Sequence, residues 1–283
     1  MIKITECPRD AMQGIEEFIP TKDKICYIQS LLEIGFDILD FGSFVSAKAI
    51  PQLKDTAQVL DALDLSKTNT KLLAIVASES GGDRAVVFEQ ISYLGFPFSI
   101  SETFLKKNIN SNFNKVIRTT EHLQNVCEQK NKELLQYISM AFGNPYGDKW
   151  SKDILFEWIE RLSNMGIRKI SLSDITAEAT PENVFEIYHY IIKQFPNIEF
   201  GLHLHTSVNN WKPLVNAAYI GGCRGFDTVL NGMGGCPMSG KELLQNLSTY
   251  DLLSYLSENE IAHHILLKQL NHSLNIANQI FPQ

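Results

Sequence analysis

Two histidines two residues apart, His203-Leu204-His205, close a strand-like apolar run over Ile198–Leu204. On a strand, residues i and i+2 project to the same face, so both imidazoles converge on one point. That is how two ligands of one divalent metal are presented. A lone histidine would read as a hydrogen-bonded core residue; the pair at a strand terminus favours metal. Near the N-terminus, Glu6-Cys7-Pro8-Arg9-Asp10 follows another strand-like run, Ile2–Thr5, and sets a cation beside a carboxylate. Alone, Arg9 and Asp10 read as a surface ion pair or a helix cap. With His203 and His205, Asp10 completes two nitrogens and a carboxylate, leaving positions open for a substrate oxygen. That is the pattern of a catalytic Lewis-acid metal and not of a closed structural one.

A third feature is Cys236, in the glycine-rich stretch Asn231-Gly232-Met233-Gly234-Gly235-Cys236-Pro237. With an unperturbed pKa of ~8.5 a thiol stays protonated at neutral pH and can donate to a carbanion. Glycines would let it swing over a pocket; the plainer reading is a turn with an incidental thiol. Ser171-Leu172-Ser173-Asp174 offers a further strand-end carboxylate. Asp40 and Ser43 could be supporting hydrogen bonders, and Lys48 could neutralise a carboxylate or phosphate. Such Asp and Ser residues are also ordinary helix caps.

These groups lie far apart in sequence, so the scaffold must gather strand ends. Eight strand-like runs are visible: Ile2–Thr5, Ile38–Phe41, Leu72–Ala77, Phe98–Ile100, Leu135–Ala141, Lys169–Leu172, Ile198–Leu204 and Gly225–Val229. Between them apolar residues recur at helical spacing. Ile25, Ile28 and Leu31 share one face, and Val87, Ile91 and Leu94 another. Phe113, Val116 and Leu123 mark a third, Ile154, Trp158 and Leu162 a fourth, and Val184, Ile187 and Ile191 a fifth. The last of these opens at Thr180-Pro181-Glu182, an N-cap with proline at the first helical position. Strands alternating with helices predict α/β, and eight strands in 283 residues predict a (β/α)8 TIM barrel. Residues 1–283 form one catalytic domain in this reading, with helices from about residue 252 packed on the barrel. In such barrels chemistry sits at the C-terminal strand ends.

A net charge of −7 argues against nucleic acid or an anionic membrane as main partner. Five cysteines without a C-x-x-C pair point to reduced thiols, and no targeting segment is visible, so a cytoplasmic location is expected. No apolar run reaches membrane-spanning length. There is no Walker loop, no G-x-G-x-x-G after a strand and no G-x-S-x-G elbow.

Taken together, Pro8-Arg9-Asp10 with Gln13, Ser43-Phe44-Val45-Ser46 with Lys48, Lys106–Asn110, Phe142–Tyr146, Ser171–Asp174, His203-Leu204-His205 and Gly234-Gly235-Cys236-Pro237 resemble the 3-hydroxy-3-methylglutaryl-CoA lyase family. The Arg-Asp and His-x-His pairs are shared with a wider group of metal-dependent lyase and synthase barrels; the Gly-Gly-Cys-Pro stretch is specific to the lyase. The resemblance implies Mg²⁺ or Mn²⁺ held by Asp10, His203, His205 and Asn246, although this donor set suits Zn²⁺ as well. It implies cleavage of an acyl-CoA to acetoacetate and acetyl-CoA, as in leucine degradation and ketone body metabolism, by a homodimer. His203 or Asp10 would take the hydroxyl proton, Arg9 stabilise the enolate and Cys236 protonate the carbanion. Gln13, Asp40, Ser43, Lys48, Ser171 and Asp174 would bind substrate or support these groups.

The chain departs from the family where the pocket opens. Asp40 stands for a usual Glu, Ile175 for Thr, Thr206-Ser207 for Asp-Thr, and Tyr250 for Glu. The stretch between Cys236 and Asn246 is one residue longer and lacks an Ala-Ser-Gly run. The resemblance implies hydroxymethylglutaryl-CoA as the acyl substrate, and these changes mark a diverged lyase for which a close 3-hydroxyacyl-CoA is the other expectation. The alternatives are a condensing enzyme running the same bond in the forming direction from a 2-oxo acid, or a non-catalytic barrel.

Overall fold

The structure, a computed structural model, describes residues 1–207, 210–234 and 244–281. In chain order its elements are β1 (Lys3–Glu6), α1 (Pro8–Gln13), α2 (Thr21–Leu32), β2 (Ile38–Ser43), α3 (Thr56–Ala62), β3 (Lys71–Ile75), α4 (Glu79–Ala85), β4 (Ile91–Ser99), α5 (Glu102–Ile109) and α6 (Phe113–Gln129). There follow β5 (Glu133–Ser139), α7 (Lys152–Asn164), β6 (Lys169–Asp174), α8 (Pro181–Gln194), β7 (Glu199–Thr206), α9 (Trp211–Gly221), β8 (Gly225–Thr228), β9 (Gln245–Asn246), α10 (Thr249–Glu258) and α11 (Leu267–Ile280).

β1 to β8 pair in parallel in sequence order, and β1 pairs β8 to close the ring. The expected TIM barrel is therefore what the chain forms. Short polar residues start its helices: the side chains of Ser78, Ser101, Asn112, Ser151, Thr180 and Ser248 each accept a first-turn backbone N–H. Thr180 and Asn183 form a reciprocal capping box behind Pro181. Outward-facing strand residues such as Leu72, Leu94, Ile138, Leu172 and Leu202 pack beneath the helices in one apolar layer. Inside the barrel a small cluster of Ile38, Leu73, Leu135 and Tyr137 fills the middle and floors the polar end above it.

One sequence-based element is corrected. Val87, Ile91 and Leu94 do not share a helical face: α4 ends at Ala85, Val87 is exposed, and Ile91 begins β4. A register shift lets Ile91 pair Leu72 while Tyr93 pairs Leu73, so Ser92 is an extra residue. The bulge puts Ile91 and Leu94 on one side of a strand at a spacing of three, which imitates a helix. At the C-terminus α10 is the eighth barrel helix and α11 lies across α2, where the Phe281 ring meets Tyr27 edge-on at 5.2 Å. The helical sequence expected from about residue 252 is interrupted, since residues 261–266 precede α11 as non-helical chain. No helix among the described residues is long and apolar enough to cross a membrane.

Candidate active site

β1 runs into α1 through Cys7 and Pro8, the latter at the first helical position, so Arg9 and Asp10 sit in the first turn over the barrel mouth. Arg9 is buried and held on every side. Its Nε and Nη2 donate to Asp40 Oδ2 at 2.9 and 2.6 Å, and Nη1 donates to Asp10 Oδ1 at 2.8 Å and Gln13 Oε1 at 2.9 Å. Gln13 Nε2 donates to Asp10 Oδ1 at 2.6 Å, and Asn246 Nδ2 donates to Asp10 Oδ2 at 2.8 Å. β9 carries Asn246 there by pairing antiparallel to β7, His205 opposite Asn246. β2 aims Asp40 inward next to a bulge between Asp40 and Gly42, a device common beside active sites.

From β7, His203 and His205 project inward as their spacing requires, their Nε2 atoms 3.2 Å apart. His205 Nε2 is 3.8 Å from Asp10 Oδ2. Donor atoms of Asp10, His203 and His205 all lie within 4.8 Å of one another, and all three residues are buried. Asp227 of β8 stands 3.2 Å from His203 Nδ1 and also accepts from Ser171 Oγ at 3.2 Å. A carboxylate beside Nδ1 fixes the proton there and leaves the Nε2 lone pair facing inward.

Electrostatics separate the acids. Burial pushes the Asp10 carboxyl up, but Arg9 and the two histidines outweigh it and hold it well below the usual range. For Asp40 burial wins over Arg9, and its carboxyl is pushed up to about 6. Burial lowers both imidazoles; the Asp227 carboxylate reverses this for His203, which ends raised, while His205 stays lowered.

This set fits a divalent cation. The two Nε2 atoms, 3.2 Å apart, share one proton in the absence of a cation, and once that proton is released a single cation can accept both lone pairs beside the anionic Asp10. Asn246 turns Nδ2 toward Asp10, so its Oδ1 joins the donors only once the amide turns over.

Other expected residues are placed differently. Ser43 serves its own turn, donating to Ile75 O and accepting from Val45 N. Lys48 is exposed and off the cavity lining. Asp174 accepts the backbone N–H groups of Glu178 and Ala179, shaping the loop after β6, and burial raises its carboxyl. Cys236 lies outside the described residues. Of the departures, Ile175 lines the cavity, Thr206 pairs Gln245, and Tyr250 donates to Asn271 on α11. Sequence reasoning missed Asp227 and Glu6. An acid inside an apolar strand, as in Gly225-Phe-Asp-Thr-Val, costs desolvation and is itself a signal. The cavity above these groups holds about 570 Å³, with Lys107, Asn108 and Asn110 on its rim.

Comparison with known proteins agrees with this geometry. The HMGL-like family model matches residues 2–276. Hydroxymethylglutaryl-CoA lyase YngG of Bacillus subtilis is 30% identical over 270 residues, covering 93% of this chain and 87% of that protein. The human cytoplasmic 3-hydroxy-3-methylglutaryl-CoA lyase is 28% identical, covering 90% of this chain and 69% of that protein. An HMG-CoA lyase structure from Acinetobacter baumannii, in complex with coenzyme A and 3-methylmalate, superimposes with a TM-score of 0.91 at 29% identity. It covers 99% of this chain and 91% of its own. With a matching family model over nearly its whole length and the ligand cluster in place, the chain belongs to the HMGL-like family of lyases.

Proposed function

We propose that this protein cleaves 3-hydroxy-3-methylglutaryl-CoA, or a close 3-hydroxyacyl-CoA, to acetoacetate (or the matching 3-oxo acid) and acetyl-CoA, with Mg²⁺ or Mn²⁺ as cofactor. The observation that carries this reading is the convergence of Asp10, His203 and His205 beside a guanidinium fixed by Asp40 and Gln13. Asp10, His203 and His205, with Asn246 once its amide turns, would hold a cation that supplies Lewis-acid polarisation of a hydroxyl oxygen when bound.

The remaining work falls to the chain. The donor atoms of Asp10 and His203 lie within 4.8 Å of one another, and in this reading one of the two takes the proton of the substrate hydroxyl. The C–C bond then breaks: C3 becomes the ketone of the oxo acid, and the electron pair passes to the thioester enolate. Arg9 has five N–H donors, and among the described residues Asp40, Asp10 and Gln13 engage four. The remaining Nη2–H, on a guanidinium that cannot move, is preorganised for the enolate oxygen. Cys236 delivers a proton to the carbanion and releases acetyl-CoA. Lys107 and the asparagines on the rim supply polar groups for the acyl-CoA carrier.

The test is incubation of protein with hydroxymethylglutaryl-CoA and Mn²⁺, with both products quantified. Equal release of acetoacetate and acetyl-CoA is expected. No release by protein that demonstrably binds Mn²⁺ would overturn this acyl substrate and move the search to other 3-hydroxyacyl thioesters.

A further inference from the structure

Glu6, the last residue of β1, is fully buried and does not line the cavity. Its carboxyl gathers three groups, from the end of β8, from Leu230 just beyond it and from the start of α10. Leu230 N donates to Oε1 at 2.6 Å, Thr249 Oγ1 lies 2.6 Å from Oε2, and Thr228 Oγ1 lies 3.2 Å from Oε2. Leu230 follows β8 by two residues, and Thr249 follows β9 by three. Backbone bonds join residues 229–232 to 246–249 as well: Val229 N donates to Leu247 O, Thr249 N to Val229 O, and Asn246 N to Gly232 O. Asn246 in turn reaches Asp10 and Met233 O. Gly234, at φ +80°, passes so close to α1 that a Cβ there would meet Asp10 O at 2.6 Å.

We propose that Glu6 is a positioning residue: one buried carboxyl ties Leu230 and Thr249 to the end of β1, and so holds the neighbouring Asn246 in register with Asp10. A surface loop needs no such anchor, and an unpaired buried acid would be costly. Here every oxygen is used, on a residue only four positions before Asp10. The carboxyl works in its neutral form. Burial, only partly offset by the Thr249, Leu230 and Thr228 hydrogen bonds, pushes it up to about 8. A neutral carboxyl can donate from Oε2 to a threonine hydroxyl, and Thr228 Oγ1 lies 3.4 Å from the Thr5 carbonyl to pass the donation on. A carboxamide keeps its oxygen toward Leu230 N and can donate from its NH₂ to both hydroxyls, provided the Thr249 hydroxyl, which donates to Oε2 here, turns to accept.

The assignment rests on the proposed metal role of Asp10 and Asn246, but its test needs no acyl-CoA. Mn²⁺ titrations by electron paramagnetic resonance and amide hydrogen exchange of the metal-free protein would compare wild type with Glu6→Gln, Glu6→Ala and Thr249→Val. Expected are wild-type Mn²⁺ affinity within about twofold for Glu6→Gln, and a loss of roughly tenfold or more for Glu6→Ala. Thr249→Val, the milder change should Glu6→Ala not fold, loses several-fold in affinity. Both damaging variants should speed exchange at Leu230 and Asn246–Thr249 over the rest of the barrel. Wild-type affinity and exchange in Thr249→Val and Glu6→Ala would overturn the tether, and loss in Glu6→Gln equal to that in Glu6→Ala would overturn its neutral form. If wild type binds no Mn²⁺ the functional reading fails, while the exchange pattern still decides whether Glu6 anchors Leu230 and Thr249.

Discussion

Both ends of this barrel carry networks of acids and bases, and the two are built to opposite specifications. At the N-terminal floor Glu199 accepts from Lys3 at 2.6 Å and Lys169 at 2.9 Å, with Lys3 and Glu199 side chains 50% and 38% exposed. Water reaches Lys3 and Glu199 and screens their pairing, and Lys169, with its side chain 11% exposed, is the one buried member of this network. At the C-terminal mouth Arg9, Asp10 and Asp40 have side chains 10%, 5% and 0% exposed, and no member could lose its partner cheaply. The same ion-pair chemistry is peripheral at one end and structurally locked at the other.

The contrast can be broken by mutation, and the largest effects should fall at the mouth. Arg9→Met should cut turnover on hydroxymethylglutaryl-CoA by roughly 10²–10³-fold, as removal of a preorganised oxyanion donor does, while Mn²⁺ still binds. Cys236→Ala should cost about 10²–10⁴-fold through loss of the general acid, again with Mn²⁺ affinity unchanged; steady-state assays beside metal titrations read both. Full activity in Cys236→Ala would contradict the proposed proton delivery. Next comes Asp227→Ala, which removes the partner of His203 Nδ1 and should weaken Mn²⁺ binding by about 10–100-fold.

A smaller effect is a pH dependence of stability. Folding raises the Glu6 carboxyl from 4.5 to about 8, so between those values the native state holds a proton that the unfolded chain has released. The stability this group contributes is full below about 4.5, falls as pH rises toward about 8, and is level beyond. Thermal unfolding should therefore shift in favour of Glu6→Gln over wild type from pH 5 to pH 8. The smallest effect belongs to the floor. Glu199→Gln should change stability by less than about 1 kcal/mol and leave turnover untouched. A large loss there would erase the distinction between the two ends.

Much of this was legible in the residues. His203 and His205 converge because a strand alternates, and Arg9-Asp10 reach the mouth because Pro8 starts a helix directly after β1. The strand order follows from eight apolar runs in sequence. What was hidden depends on local irregularity or on partners distant in sequence. The extra Ser92 disguised the start of β4 as a helical face. Ser43 and Asp174 have the right type and place for a site, but their side chains satisfy neighbouring backbone, which spacing alone does not reveal. Lys48 belongs to a matching motif, yet the turn after β2 carries it to the surface. Asp227 and Glu6 belong to no motif, and their meaning appears only when His203 and Thr249 come within hydrogen-bond range.

The measurement that bears most directly on the centre of this picture is the number of Mn²⁺ ions bound per chain, followed together with cleavage of hydroxymethylglutaryl-CoA. It would be made on metal-stripped wild type and on a His203→Ala, His205→Ala variant. One ion per wild-type chain is expected, with acetoacetate and acetyl-CoA appearing in proportion to its occupancy, and neither tight binding nor cleavage in the variant. Undiminished cleavage in excess EDTA, or a double variant that binds Mn²⁺ and turns over like wild type, would contradict the assignment of Asp10, His203 and His205 as the metal site.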